Sequence, residues 1–274
     1  LAAALLHDPE VLILDEPTVG VDPVSRRELW SIVSNLVENE SISVFVSTTY
    51  LDEAERCHRV VVLKEGTLLA LEDPGKIAGR QKGNTFRIRI SDRKKRKLQR
   101  TLSKNEEVMD AVIVGDAVRL VMESGREPTI ESLGLANEKL TLEPVEPRFE
   151  DGYLSILEHQ KAESGVTGNL KILDTASDGS DTGRTVITVD HVGRRFGDFH
   201  AVKEVTFHVR KGEVCRLLGA NGAGKTTTFR MICGLLPVSE GTLNVAGYDL
   251  RIAAAVARSR IGYMSQKFSL YGQL

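Results

Sequence analysis

The chain has 274 residues, of which 41% are hydrophobic and 27% charged, fractions that are ordinary for globular proteins and exclude collagen-like, disordered and membrane-spanning classes. The length predicts more than one folding unit, and the formal net charge of -2 gives no chain-wide attraction to nucleic acid or anionic lipid. Its three cysteines are too few and too scattered for a disulfide framework or a zinc site, so we expect a reducing, cytoplasmic setting.

The first part of the chain alternates strands and helices. Apolar runs at 11–15 and 42–48 are typical of strands buried on both faces. Between them, apolar residues recur at helical spacing from Val24 to Val37, after a proline that a first helical turn tolerates. A helix over 51–57 and two strands around the turn Glu65–Gly66 are predicted to follow.

The pattern then changes twice along the chain. The FRIRI strand, a basic helical stretch and a hairpin turning at Gly115–Asp116 predict a small α+β module. A stretch rich in Ser, Gly, Thr and Asp follows, which buries too little apolar surface to fold. The predicted segments are an α/β unit at 1–80, the α+β module at 81–160, a flexible linker at 161–184 and a second α/β unit at 185–274.

The sequence GANGAGKT at 219–226 fits the phosphate-loop pattern. It follows the apolar strand VCRLL and opens a helix, so backbone N–H groups and the positive helix end can surround a polyphosphate. A chance glycine-rich turn is the alternative, but motif, strand and helix agree. The lysine would reach the β- and γ-phosphates, and the first threonine hydroxyl would bind Mg²⁺. The predicted binding residues are Gly219, Asn221, Gly222, Ala223, Gly224, Lys225, Thr226 and Thr227.

A second chemical signal is the acidic end of the apolar run VLILDEP. Asp15 can hold Mg²⁺, and Glu16 can polarise an attacking water, as phosphoryl transfer requires. An acidic strand end that faces solvent is the alternative reading of this run taken alone.

These residues together resemble the ATP-binding subunits of ABC transporters, most closely those of drug-exporter type. The resemblance rests on LILDEPTVGVDP, DEAER, GANGAGKTTT and GYMSQKFSLYGQL, and it covers residues 1–80 and 185–274. It implies an α/β fold made of P-loop NTPase (ABC ATPase) halves joined by the small α+β module. It also implies ATP and Mg²⁺ as ligands.

The resemblance assigns roles to individual residues. Asp15 and Gln266 would join Thr226 at the Mg²⁺ site, and Glu16 would be the general base. Asp22 would be the D-loop aspartate, Gln266 the Q-loop glutamine, and Phe196 the aromatic ring that stacks on adenine. Thr49 stands where the family has its switch histidine. Because threonine is short and lacks an imidazole, we expect slow hydrolysis at a site built on the first segment.

The order of the motifs differs from that of the family, since Walker B precedes Walker A and the signature segment is absent. A window cut from a tandem double ABC protein explains this order best, and one circularly permuted domain is the alternative. The start on Leu1 and the stop at Leu274 inside a motif favour a fragment, which we expect to be inactive alone. In the tandem arrangement, Asp15 and Lys225 would belong to different ATP sites.

The implied function is ATP hydrolysis that drives a separate integral membrane permease in an export system. The domains would pair within one full-length chain or as a dimer, on the inner face of the cell membrane. The alternative is a soluble tandem ABC protein that acts on ribosomes as a translation factor. Nucleic acid is not an expected partner, because the basic run from Arg93 to Arg100 lacks interleaved aromatic residues and is typical of a solvated helix face.

Overall fold

The computed structural model describes residues 1–90, 94–123, 128–135, 140–163 and 183–265. The chain divides into two compact units, Leu1–Pro74 with Lys171–Leu274, and Gly75–Leu170. In the first unit, we call residues 1–74 the leading segment and residues 183–265 the trailing segment. Among the described residues, no helix combines the length and the apolarity that crossing a membrane requires.

The elements alternate as an α/β chain. The helices are α1 (Ala2–Leu5), α2 (Pro23–Glu40), α3 (Pro74–Gly79), α4 (Lys95–Leu102), α5 (Phe149–Glu163), α6 (Lys225–Ile232) and α7 (Leu250–Arg258). The strands are β1 (Val11–Asp15), β2 (Ser43–Thr48), β3 (Arg59–Lys64), β4 (Thr67–Glu72), β5 (Thr85–Arg89), β6 (Val108–Val114), β7 (Ala117–Met122), β8 (Thr141–Pro144), β9 (Thr185–Phe196), β10 (Phe199–Arg210), β11 (Val214–Leu218), β12 (Glu240–Val245), β13 (Tyr248–Asp249) and β14 (Ile261–Met264).

Both segments of the first unit contribute strands to one six-stranded sheet, in the order β14-β1-β2-β11-β3-β4. Strand β11 of the trailing segment lies between β2 and β3 of the leading segment and runs parallel to both. Strand β14 pairs in parallel with β1, and only the β3–β4 pair of this sheet is antiparallel among the described residues. The strand before the phosphate loop and the strand ending in Asp15 therefore share a sheet.

The expectation that Asp15 and Lys225 belong to different ATP sites concerns the longer tandem arrangement and stays a prediction, whereas in this chain the strand that ends in Asp15 and the strand that leads to Lys225 lie in one sheet. The physical reason is the open edges of β2 and β3, whose backbone groups both find their partners on β11. The motifs follow one another along the chain, whereas the order of the strands in the sheet is set by this pairing in space.

Apolar layers cover both faces of this sheet. On one face, a second sheet of order β10-β9-β12-β13 and helix α6 enclose the larger core. There the Phe45 ring lies 5.5 Å from that of Phe207 and 4.8 Å from that of Phe229. On the other face, α2 packs Trp30 and Val33 against β1 and β2.

The second unit holds the antiparallel sheet β6-β7-β5-β8. The predicted turn at Gly115–Asp116 is confirmed, because Val114 pairs with Ala117 across it. Helix α4 buries Leu98 and Leu102 in the core of this unit. Lys95 departs from the predicted solvated face, since it is buried and its Nζ donates to the Gly115 carbonyl at 2.5 Å.

Two other expectations differ from the structure. The helix predicted over 51–57 is a single 3₁₀ turn, Ala54–Arg56, because Glu53 and Cys57 are held in the interior by tertiary contacts. Helix α5 continues to Glu163, past the predicted start of the linker, and most of the predicted linker lies outside the described residues.

Candidate nucleotide-binding site

The phosphate loop joins β11 to α6 at the carboxyl edge of the main sheet. A Cβ atom on Gly219 would lie 2.5 Å from the Leu63 carbonyl oxygen and 2.9 Å from the Ala223 Cβ, so no side chain fits there. Gly224 has a φ of 98°, and its Cβ would lie 2.7 Å from the Ala201 carbonyl oxygen. The loop therefore needs glycine at both positions to keep its backbone close to β3 and β10.

Lys225 is buried at the start of α6 with its ammonium group turned towards the loop. Its Nζ donates to the Gly219 carbonyl at 2.8 Å and to the Ala220 carbonyl at 3.2 Å. The same Nζ lies 3.3 Å from Glu16 Oε1. The phosphate-loop cation and the predicted general base thus face each other across one site.

A hydroxyl group fixes the acidic end of β1. Ser47 Oγ donates to Asp15 Oδ1 at 2.6 Å, and the Glu16 backbone N–H donates to Ser47 Oγ at 2.9 Å. Burial raises the pKa of Asp15 most, while hydrogen bonds from the side chains of Ser47 and Thr226 oppose that rise. Glu16 adopts a φ of 51°, a left-handed conformation that a non-glycine residue keeps only where its surroundings enforce it.

A cavity of about 460 Å³ opens over the loop, within the size range of small-molecule sites. Its lining is mostly polar and includes the residues Glu16, Phe199, Ala201, Asn221, Gly222, Gly224, Lys225, Thr226 and Thr227. A glycine cradle, a buried cation and a helix start fit a polyphosphate.

The residues present also fit Mg²⁺ as a partner of that polyphosphate. Asp15 and Thr226 supply hard oxygen ligands, and the hydrogen bond between their side chains brings these oxygens together. No cluster of three or more His, Cys, Asp or Glu side chains among the described residues could hold a metal by itself. Phosphate oxygens and water would complete the shell, which is how Mg²⁺ is commonly bound beside nucleotides.

The aromatic residue predicted to stack on adenine does not line this cavity. The Phe196 ring is covered by the Arg194 guanidinium, 4.6 Å from its centroid, and Phe196 is 47% exposed. Phe199, its partner across the β9–β10 turn, lines the cavity and is 66% exposed. Phe199 was not predicted from the sequence, although it lies three residues after Phe196 in RRFGDFHAV.

The other predicted residues lie at different distances from the cavity. Asp22 is the N-cap of α2, and its Oδ1 accepts from the N–H groups of Val24 and Ser25 at 2.9 and 3.1 Å. A hydrogen bond from the Ser25 side chain, followed by those from the Ser25 and Val24 N–H groups, lowers the pKa of Asp22. Ala223 is buried beneath the loop. Gln266 lies outside the described residues.

Sequence reasoning also missed a buried polar network behind the site. Glu53 Oε2 accepts from Thr18 Oγ1 and Thr48 Oγ1, each at 3.2 Å, and from Arg216 Nη2 at 2.5 Å. Its Oε1 lies 3.8 Å from Arg26 Nε. The DEAER segment was recognised, but no local pattern indicated that its first glutamate points into the interior.

Comparison with known proteins finds similar sequences among ATP-binding proteins of ABC transporters. Residues 202–274 match the family model described as ABC transporter. The chain is 41% identical over 276 aligned positions to the probable multidrug ABC transporter ATP-binding protein YbhF of Escherichia coli, covering 100% of this chain and 46% of that protein. It is 37% identical over 97 positions to the daunorubicin/doxorubicin resistance ATP-binding protein DrrA of Streptomyces peucetius, covering 35% of this chain and 29% of that protein.

A third relative is the uncharacterized ABC transporter ATP-binding protein YhaQ of Bacillus subtilis, 40% identical over 89 positions, covering 32% of this chain and 29% of that protein. The chain spans about half the length of the relative that it matches from end to end. The α/β fold of P-loop NTPase class predicted from the sequence is confirmed, and residues 202–274 carry an ABC transporter domain match.

Proposed function

We propose that this chain is part of the ATP-hydrolysing component of an ABC export system. The observation that carries the proposal is the contact of Lys225 Nζ with Glu16 Oε1 at 3.3 Å, beside the glycine cradle and Asp15. A phosphate-binding cation and a base that line one cavity, with a metal-binding carboxylate hydrogen-bonded to Thr226 of that lining, are the parts that phosphoryl transfer to water requires.

Each residue has a distinct part in this proposal. The N–H groups of the loop and the Lys225 ammonium, which here donates to the Gly219 and Ala220 carbonyls, would hold the β- and γ-phosphates. Asp15 and Thr226 would hold Mg²⁺, which would neutralise phosphate charge. Glu16 orients the attacking water and accepts its proton. Gln266 would bind the metal, and Asp22 would approach a nucleotide across a domain interface.

The transport role is supported by two of the relatives, a probable multidrug ABC transporter ATP-binding protein and a daunorubicin/doxorubicin resistance ATP-binding protein. We infer a separate integral membrane permease as partner and a peripheral position on the inner face of the membrane. Nothing in the comparisons supports the ribosomal alternative.

We also infer that the longer protein carries tandem nucleotide-binding domains. End-to-end alignment with 46% of a longer relative supports this reading, because it keeps the order of Walker B before Walker A. In that longer protein the leading and trailing segments can each pack against the remaining half of their own nucleotide-binding domain. In this chain they complete one composite site, so we propose ATP turnover for the chain in place of the inactive fragment expected from the sequence.

The test is ATP turnover by the 274-residue chain and by two variants, Lys225→Ala and Glu16→Gln. If the composite site is used, both substitutions abolish turnover. Exposed Lys211→Ala and Glu204→Gln are matched controls and leave turnover unchanged. Loss in Lys225→Ala alone would show that Glu16 serves another site, and a wild-type chain without turnover would refute the proposed activity of this chain.

A further inference from the structure

Glu53 is 2% exposed, and its carboxylate accepts hydrogen bonds from side chains in separate parts of the fold. A single oxygen, Oε2, accepts hydrogen bonds from Thr18, Thr48 and Arg216. A buried carboxylate is tolerated where hydrogen bonds and an opposite charge compensate for its lost hydration. This arrangement supplies both.

The partners of Glu53 stand next to the proposed catalytic groups. Thr18 belongs to the turn that follows Glu16 and leads into α2. Thr48 ends β2 directly before Thr49, and its Oγ1 also accepts from the Tyr50 N–H at 3.0 Å. The Glu53 carboxylate therefore connects the loop after β1 to the segment Thr48–Tyr50 through hydrogen bonds.

Arg216 extends this tie to the phosphate loop. It lies in the middle of β11, which leads directly into Gly219, and its side chain is 0% exposed. The guanidinium lies 5.6 Å from the centroid of the Trp30 ring and bonds Glu53. Because an unpaired charge at this depth would be costly, the pair fixes β11 relative to the Glu53 segment.

We propose that Glu53 is a positioning residue for ATP hydrolysis, holding the turn after Glu16 and the Thr48–Tyr50 segment together by accepting hydrogen bonds from Thr18 and Thr48, while Arg216 compensates its charge. This inference rests on the proposed function. The hydrogen bonds that residue 53 accepts set the geometry of the site, and this effect is separate from the contribution of the buried Glu53–Arg216 pair to stability.

The experiment compares matched double variants of the 274-residue chain, Glu53→Met/Arg216→Met and Glu53→Gln/Arg216→Met. Both remove the buried charges together and keep side chains of similar length, so both are expected to unfold near the wild-type temperature. Only the glutamine variant keeps an oxygen that can accept from both threonine hydroxyls. The two variants therefore separate a structural role from a positioning role.

We expect the methionine pair to lower kcat about 100-fold with the KM for ATP within about threefold, because a displacement of about 1 Å costs about that much in rate. The variant with glutamine keeps kcat within about threefold of wild type. Equal kcat in the two variants would overturn the inference, whatever their stability.

A readout that does not need turnover is hydrogen exchange at the Tyr50 amide, which bonds Thr48 Oγ1. We expect faster exchange there in the methionine pair and wild-type exchange in the glutamine variant, each with bound ATP and without it. Unchanged exchange in the methionine pair overturns the positioning role. A wild-type chain without turnover refutes the proposed function alone, and the exchange result then decides the role of Glu53.

Discussion

Gly219 is packed so closely against β3 that Gly219→Ala should lower both the stability of the protein and its affinity for ATP. The added Cβ would lie 2.5 Å from the Leu63 carbonyl oxygen, whereas favourable contacts lie at about 3.5–4.0 Å. The Leu63 group is backbone of β3 and cannot rotate away, so the loop and the strand must part by about 1 Å. Such overpacking lowers the free energy of unfolding by about 1–3 kcal/mol.

The same displacement should weaken ATP binding, because the loop N–H groups move away from the phosphates. Loss of one hydrogen bond to a charged group, at about 1.5–3 kcal/mol, corresponds to a loss of affinity of about 10- to 150-fold. Calorimetric titration with ATP and thermal unfolding of the same samples measure the two effects.

The matched control is Gly193→Ala in the same unit. Its Cβ would meet Glu240 atoms at 3.5 Å, an ordinary contact, so both affinity and stability should remain close to wild type. The reasoning is refuted if Gly219→Ala binds ATP as tightly as Gly193→Ala does.

Other substitutions test the remaining parts of the site. Thr49→His should raise kcat by about tenfold or more, because an imidazole supplies the hydrogen bond and proton transfer that threonine lacks; an unchanged kcat would reject the switch assignment. Phe199→Ala should weaken ATP binding about 5- to 150-fold, the range expected for a lost base stack, and leave tripolyphosphate binding unchanged. An effect of that kind in Phe196→Ala alone would instead support the ring chosen from the sequence. Burial raises the pKa of Cys57 to about 11 and of Cys233 to about 12, so both thiols should resist alkylation at pH 8 until denaturant is added. Because the folded pKa of Cys57 exceeds its ordinary value of 9.0, its contribution to stability is present below pH 9 and lost as the pH rises to about 11, and Cys57→Ala should flatten that fall in the free energy of unfolding.

Local features of the site were predictable because the residues that form them lie close together in the sequence. The phosphate loop needs a strand, glycines and a helix start that follow each other directly, and the structure has β11, the loop and α6 in that order. Asp15 and Glu16 likewise follow an apolar run that forms β1. These elements depend on neighbours in the sequence, so pattern and structure agree.

Features that depend on distant contacts were not predictable in the same way. The place of β11 between β2 and β3 follows from backbone pairing, which no local pattern encodes. The tie between Glu53 and Arg216 joins residues 163 positions apart. The helix predicted near Glu53 fails for the same reason, because burial of that carboxylate decides the local conformation more strongly than helical propensity does.

The shared sheet makes one last prediction, that the leading and trailing segments need each other to fold. Strands β1, β2 and β11 are buried along their whole length, which requires neighbours on both edges and layers on both faces. Without β11, the leading segment would expose facing edges of β2 and β3, and without those strands β11 would have no partner in the sheet.

Separate peptides covering 1–80 and 185–274 should therefore lack cooperative thermal unfolding and protected amides, and mixing them should restore both, together with ATP binding. The full chain with Phe45→Ala is an informative comparison, because Phe45 contacts the trailing segment through Phe207 and Phe229. Loss of the Phe45 ring should lower the free energy of unfolding of the full chain by about 3–5 kcal/mol. The same substitution in the 1–80 peptide should weaken its association with the 185–274 peptide correspondingly. Cooperative unfolding of the 185–274 peptide alone would show that β11 finds its stability within its own segment, and the composite site would then be a docking of two folded parts rather than one core.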